Sequence, residues 1–146
     1  MRSILICALF AIGFCAKCWG QHRARVNPDY CAFFSLDDIG EPFVGYPLTS
    51  VKVETRQIEE AEALLMDTLQ REHLEPQRYF RQYVAGRTAS GEHIIYVNAL
   101  CRSGSAQHED WKHRWLSVED GGDCYWQAVI NLDTGRVLLF QVNGNA

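Results

Sequence analysis

Five histidines, three cysteines beyond residue 20 and several paired carboxylates are the residues of this chain with chemistry to offer. His108-Glu109-Asp110-Trp111-Lys112-His113 sets two histidines five apart. A zinc-peptidase helix needs them four apart so that both imidazoles share a face. At five they diverge by about 140° around a helix, so the segment reads as a charged surface loop and no metal is expected. Cys31 paired with any of His22, His73, His93, His108 or His113 would make a thiol nucleophile. Its setting, Asp29-Tyr30-Cys31-Ala32-Phe33-Phe34, is apolar and acidic, which raises a thiol's pKa and leaves it inert. Asp37-Asp38, Glu59-Glu60 and Glu119-Asp120 fall at helix starts or turns, where solvated acids are ordinary. No serine sits in a nucleophile elbow, and Gly121-Gly122 lacks the spacing of a phosphate loop. The expectation is a protein that is not an enzyme and needs no cofactor. Binding has more to work with. Trp111 and Trp115 flank a polar loop, and Trp and Tyr are frequent interface anchors. Trp111 is the candidate binding residue, while Trp115 and Trp126 are expected in the sheet, buried against a helix.

The start of the chain sets the compartment. Arg2 is followed by an apolar run from Ile4 to Phe14, and Cys18-Trp19-Gly20 offers a cleavage site before Gln21. Residues 1–20 therefore read as a secretory signal peptide, with an apolar run too short to span a bilayer. Phe14 and Lys17 fit poorly before a lipid-bearing cysteine, which disfavours an anchored lipoprotein. The expected location is secreted or periplasmic after cleavage near Gly20. Residues 21–146 suffice for one domain with one core. Without Arg2 and Lys17, twelve basic residues stand against eighteen acidic ones, a formal charge of −6. That balance argues against nucleic acid and anionic membrane surfaces as partners. No twenty-residue apolar stretch follows, so no membrane insertion of the mature chain is expected. Cys31, Cys101 and Cys124 remain, enough for one disulfide and one thiol. Cys101–Cys124 is favoured because both lie near ends of strands that can be neighbours; pairing with Cys31, or no bridge, stays open.

Positioning these residues requires elements. Residues 21–50, punctuated by Pro28, Gly40, Pro42, Gly45 and Pro47, read as an irregular arm, with Tyr30 to Phe34 and Phe43-Val44 as apolar islands that pack on the domain. Residues 51–146 read as the folded domain. Thr55 is a reasonable N-cap, and Pro76 stops the run. Between them Ile58, Ala61, Leu64, Leu65, Thr68 and Leu69 recur at steps of three and four, the stripe of an amphipathic helix. Residues 78–85, 93–101, 115–118, 123–131 and 136–142 read as strands joined by turns at 86–91, 119–122 and 132–135. Cys124, Trp126, Ala128 and Ile130 alternate, as do Leu138, Phe140 and Val142, and both sets are expected to face the helix. The fold class is α+β: one long helix packed on a four- to five-stranded antiparallel sheet. Within its strand, Gln82 and Val84 share one face and Tyr83 takes the other.

Gln82-Tyr83-Val84-Ala85-Gly86, after a helix and before a hairpin, resembles the Gln-x-Val-x-Gly segment of the cystatins, small secreted inhibitors of papain-like peptidases. The resemblance implies a cystatin-like fold and a binding role for Gln82, Val84 and Gly86. Gly40 or Gly45 would stand for the cystatins' N-terminal glycine, while the second hairpin reads Asp120-Gly121-Gly122-Asp123 in place of Pro-Trp. A second segment, Tyr125 to Leu138, with Asp133-Thr134-Gly135-Arg136-Val137 in its turn, resembles the closing hairpin of PepSY domains, many of which accompany peptidases. The whole chain, ending Val142-Asn143-Gly144-Asn145-Ala146, resembles a family of uncharacterised secreted bacterial proteins, a likeness that implies no activity.

The expected function is a secreted, non-catalytic protein-binding module whose partner is a protein, a peptidase among the candidates. Alternatives are a peptidase inhibitor of cystatin or PepSY type, and a small ligand carrier or enzyme using the concave sheet face. A tightly packed helix without a cavity favours the binding module. A buried, polar-lined pocket of roughly several hundred Å³ containing a charged residue favours the carrier. Oligomeric state has no signature in the sequence.

Overall fold

The computed structural model describes residues 26–39, 47–103 and 108–144. The signal segment, Gly40, Phe43-Val44 and Gly45 lie outside these residues. The architecture is α+β, an open six-stranded sheet with one long helix. Strand β1 (Cys31–Phe34) precedes the one-turn helix α1 (Leu36–Ile39), and strand β2 (Thr49–Val51) leads to helix α2 (Thr55–Arg71). Strands β3 (Tyr79–Arg87), β4 (His93–Cys101), β5 (Tyr125–Asn131) and β6 (Arg136–Val142) follow. The sheet order is β1-β3-β4-β5-β6, with β2 also paired to β3.

The sheet departs from the antiparallel expectation at one edge. β1 runs parallel to β3, from Cys31 beside Arg81 to Phe34 beside Val84. Parallel neighbours need a long crossover, and here α1, β2 and α2 supply it. β2 then takes the rest of that edge in the antiparallel sense, Thr49 beside Arg87. The island around Tyr30 to Phe34 thus becomes part of the sheet.

Helix α2 begins at Thr55, and its cap falls one residue before the expected one. Glu54 is the N-cap, and its N–H donates to the Gln57 side chain at 3.1 Å. At the other end the N–H of Leu74 bonds the carbonyl of Leu69 at 2.9 Å and that of His73 bonds Gln70 at 3.2 Å. This is a Schellman cap, completed by the apolar pair Leu69 and Leu74 within one cluster. His73 occupies the left-handed position, φ 58°, where glycine is usual. His73→Gly is therefore expected to stabilise the fold by about 1 kcal/mol; an unchanged urea midpoint would contradict this.

Ile58, Ala61, Leu65 and Leu69 of α2 form one cluster with Tyr79, Tyr83 and Ala85 of β3, Ile95, Val97 and Ala99 of β4, and Trp126, Ala128 and Ile130 of β5. From β6 the cluster takes Val137, Phe140 and Val142. Leu138, expected inward, is instead 46% exposed. A register shift at Val129/Ile130 pairs Ile130 with Val137 and Val129 with Leu139, so Leu138 is the extra residue of a bulge and turns outward.

The opposite sheet face is covered too. Val84, Ile94, Tyr96 and Val129 pack with Leu36 and Ile39 of α1, Leu48 and Trp115. Leu100 packs with Trp111, Phe80 and Leu116. Residues 115–118 do not form the expected strand, and 119–122 consequently join no hairpin. The backbone of Leu116 bonds side chains of the sheet instead of a strand ladder. Gly121, at φ 100°, takes a conformation side chains rarely adopt, and Asp120 bridges to Gly144 near the chain end.

Candidate functional site

Gln82, Val84 and Gly86 lie within β3, not at a hairpin tip. The turn that follows runs through Thr88 and Gly91, with Gly91 N–H bonding Thr88 O at 2.9 Å. Gln82 is 0% exposed and Val84 1%. A Cβ on Gly86 would stand 3.0 Å from Leu48, so this glycine admits the arm that crosses it. Trp111 is buried and stacks on Phe80 at 4.3 Å between ring centroids. All four residues are buried.

What holds them is a ladder of amides across β3, β4 and β5. Gln82 Nε2 donates to the carbonyls of Trp111 and Arg114, both at 2.7 Å. Its Oε1 accepts from Asn98 Nδ2 at 2.8 Å and from Leu116 N–H at 3.1 Å. Asn98 Nδ2 also donates to Leu116 O at 2.7 Å, and Gln127 extends the row to Asn98 Oδ1 at 3.4 Å. The register places Gln82, Asn98 and Gln127 side by side on neighbouring strands. Gln82 is thus the clamp of the covering loop. His108, in the same loop, is buried and bonds the Tyr125 hydroxyl at 2.8 Å.

The disulfide joins Cys101 at the end of β4 to Cys124 just before β5, with Cα atoms 4.7 Å apart. A loop of this separation contributes roughly 3 kcal/mol by the chain-entropy argument. Among the described residues Cys31 is the remaining thiol.

The helix-facing side of β3 holds a second polar group that sequence reasoning missed. Glu62 of α2 and Arg81 of β3 form an ion pair, Nε to Oε1 3.0 Å, with side chains only 10% and 9% exposed. Tyr83 donates its hydroxyl to the same Glu62 oxygen at 2.7 Å, and the Cys31 thiol approaches the Tyr83 oxygen at 3.9 Å. The Arg81 guanidinium lies 5.6 Å from the Trp126 ring centroid. Although its Nε is within ion-pair distance of Glu62, the angle is not that of a hydrogen bond. Both Nε and Nη2 are buried without a hydrogen-bond partner among the described residues.

This group lines an open pocket of about 340 Å³ bordered by α2, β1, β3, the segment before β1 and Pro76-Gln77. Val26, Tyr30, Met66 and Tyr79 supply apolar and aromatic lining, so the pocket is mixed in character with a charged wall. Met66 is 42% exposed, one of few large apolar side chains so placed among the described residues. Burial, and after it the Glu62 carboxylate, hold the Tyr83 hydroxyl well above the ordinary phenol range. Burial likewise raises the Tyr79 hydroxyl and the Cys31 thiol. A raised pKa means that the folded state keeps its proton more tightly than the unfolded chain. The stability from these three groups is complete below the unfolded values, 9.0 for the thiol and 10.0 for the phenols, and is lost as pH rises through the folded ones. The urea midpoint is expected to hold up to about pH 9 and to fall above it. Tyr83 ionising at an ordinary phenol pH in the intact fold would contradict this.

Glu62 and Arg81 carry a signal in the chain itself. Glu62 sits four residues after Ile58 and three before Leu65, on the apolar stripe. Arg81 lies between Tyr79 and Tyr83 on the same strand face. Opposite charges on two facing apolar surfaces call for each other.

Comparison with family models, with curated proteins and with solved structures gives no match. Among the described residues no helix is long and apolar enough to cross a membrane.

Proposed function

We propose that this chain is a secreted, non-catalytic domain of cystatin-like type, its helix packed on its sheet, that binds a small ligand in the pocket beside Glu62 and Arg81. The observation that carries the reading is the pocket of about 340 Å³ with a buried charged pair in its wall. Ligand sites are concave, largely apolar and marked by a few convergent polar groups, and this pocket has that composition. It lies between helix and sheet edge, beside the thiol left over from the disulfide.

Protein binding through the Gln-x-Val-x-Gly segment has less behind it. A wedge that fills a peptidase cleft must expose its residues, and here Gln82 and Val84 are spent on the interior. Papain is therefore expected to keep full activity with micromolar amounts of the domain.

Native mass spectrometry of the mature chain, purified from cells that make it, tests the ligand reading. The expected result is a small-molecule adduct that denaturation releases and that Met66→Trp, which narrows the pocket, excludes. An adduct-free chain, or one retained equally by the Trp variant, would refute it.

A further inference from the structure

We infer that the pocket takes a ligand with an apolar body and an oxyanion head of the carboxylate class, with Arg81 receiving the head. The inference rests on reading the pocket as a ligand site and goes on to name the chemistry.

Donors and acceptors at the charged wall do not balance. Arg81 brings five N–H donors and no acceptor. Glu62 faces its Nε edge through one oxygen, 3.0 Å away, and that oxygen already takes the Tyr83 hydroxyl at 2.7 Å. The Cys31 thiol adds another donor beside Tyr83. Arg81 Nη2 is buried and unpartnered among the described residues, on a side chain nine-tenths out of solvent. A buried N–H without an acceptor is costly, and more so on a charged group. The guanidinium is thus short of acceptors. A ligand that supplies two oxygens in one plane matches the guanidinium fork. Nη2 has almost no accessible surface in the ligand-free fold, so the head would reach it by displacing the lining beside it. A cationic head would meet Arg81 as a like charge.

The rest of the lining selects the body. Tyr30 and Tyr79 supply aromatic lining, Val26 aliphatic lining, and Met66 an unbranched thioether that adapts to varied shapes. An aryl or alkyl group of modest length suits these residues.

Isothermal titration of the mature chain with phenylbutyrate, phenylbutanol and phenylbutylamine holds the body constant and varies the head. The acid is expected to bind roughly tenfold or more tighter than the other two, the difference a charge-assisted hydrogen bond supplies. Arg81→Lys should lose most of that preference, because an ammonium lacks the fork; should this variant not fold, the series on the natural chain decides alone. Met66→Trp should weaken all three. If the alcohol or the amine binds as well as the acid, the assignment of the head is wrong while the pocket stands as a ligand site. No heat from any of the three at millimolar concentration overturns head and body together.

Discussion

Glu62→Ala is expected to destabilise the fold by about 3–5 kcal/mol, the usual cost of removing one partner from a buried ion pair. Two changes add up there. Arg81 keeps its charge with no carboxylate within reach, at a side chain 9% exposed and packed against the Trp126 ring. Tyr83 loses the acceptor of its 2.7 Å hydrogen bond while remaining buried. The pair itself need not contribute net stability, because desolvating two ions offsets their attraction. The double variant Glu62→Leu with Arg81→Met is therefore expected to recover most of the loss and to bind no ligand. Urea denaturation of Glu62→Ala and of the double variant separates these terms. A single variant as stable as the natural chain would mean that water reaches Arg81 freely, and the buried pair would be discounted.

Gln82→Leu, close in volume to the natural side chain, is expected to cost roughly 3 kcal/mol, since four buried or part-buried hydrogen bonds are lost together. Those partners are the carbonyls of Trp111 and Arg114, the N–H of Leu116 and the amide of Asn98. Gln82→Glu should cost more, because a carboxylate would face two carbonyls where an amide N–H₂ now donates. In either variant the covering loop loses its clamp, and Lys112 and Arg114 within it should become rapid trypsin sites. Limited trypsinolysis beside urea denaturation reads both effects. Loss of stability without faster cleavage at Lys112 or Arg114 would place the cost in the sheet and not in the loop.

Much of the framework was legible because it follows local rules. Ile58, Ala61, Leu65 and Leu69 recur at helical steps, and α2 buries that stripe. Asn131 and Gly135 shape the turn between β5 and β6, with Thr134 N–H bonding Asn131 Oδ1 at 3.0 Å and Gly135 at φ 63°. What escaped was decided by distant contacts. β1 is four residues long, and its parallel register against β3 is set by packing across the crossover. Residues 115–118 have strand-like composition, yet the Leu116 backbone bonds the Gln82 and Asn98 side chains and the Val118 carbonyl accepts from the Asn143 side chain. The bulge at Leu138 breaks an alternation that the letters alone suggest.

The site was legible in a different way. The cystatin-like segment drew attention to Gln82, Val84 and Gly86, and each is needed: one clamps a loop, one fills a core, one admits Leu48. Their importance is to the fold. Glu62 and Arg81 were overlooked because a charged residue on an amphipathic element is easily read as solvated. Only their shared placement on facing apolar surfaces marks them.

Amide chemical-shift mapping tests the account most directly. A small-molecule extract of the envelope of cells that make the protein is titrated into the isotopically labelled mature chain. The account predicts shifts concentrated at Cys31, Glu62, Met66, Arg81 and Tyr83, with the backbone around Gln82, Asn98 and Trp111 unmoved beyond its sequence neighbours. An unperturbed pocket, or shifts gathered instead on the covering loop or the outer edge of β6, would contradict it.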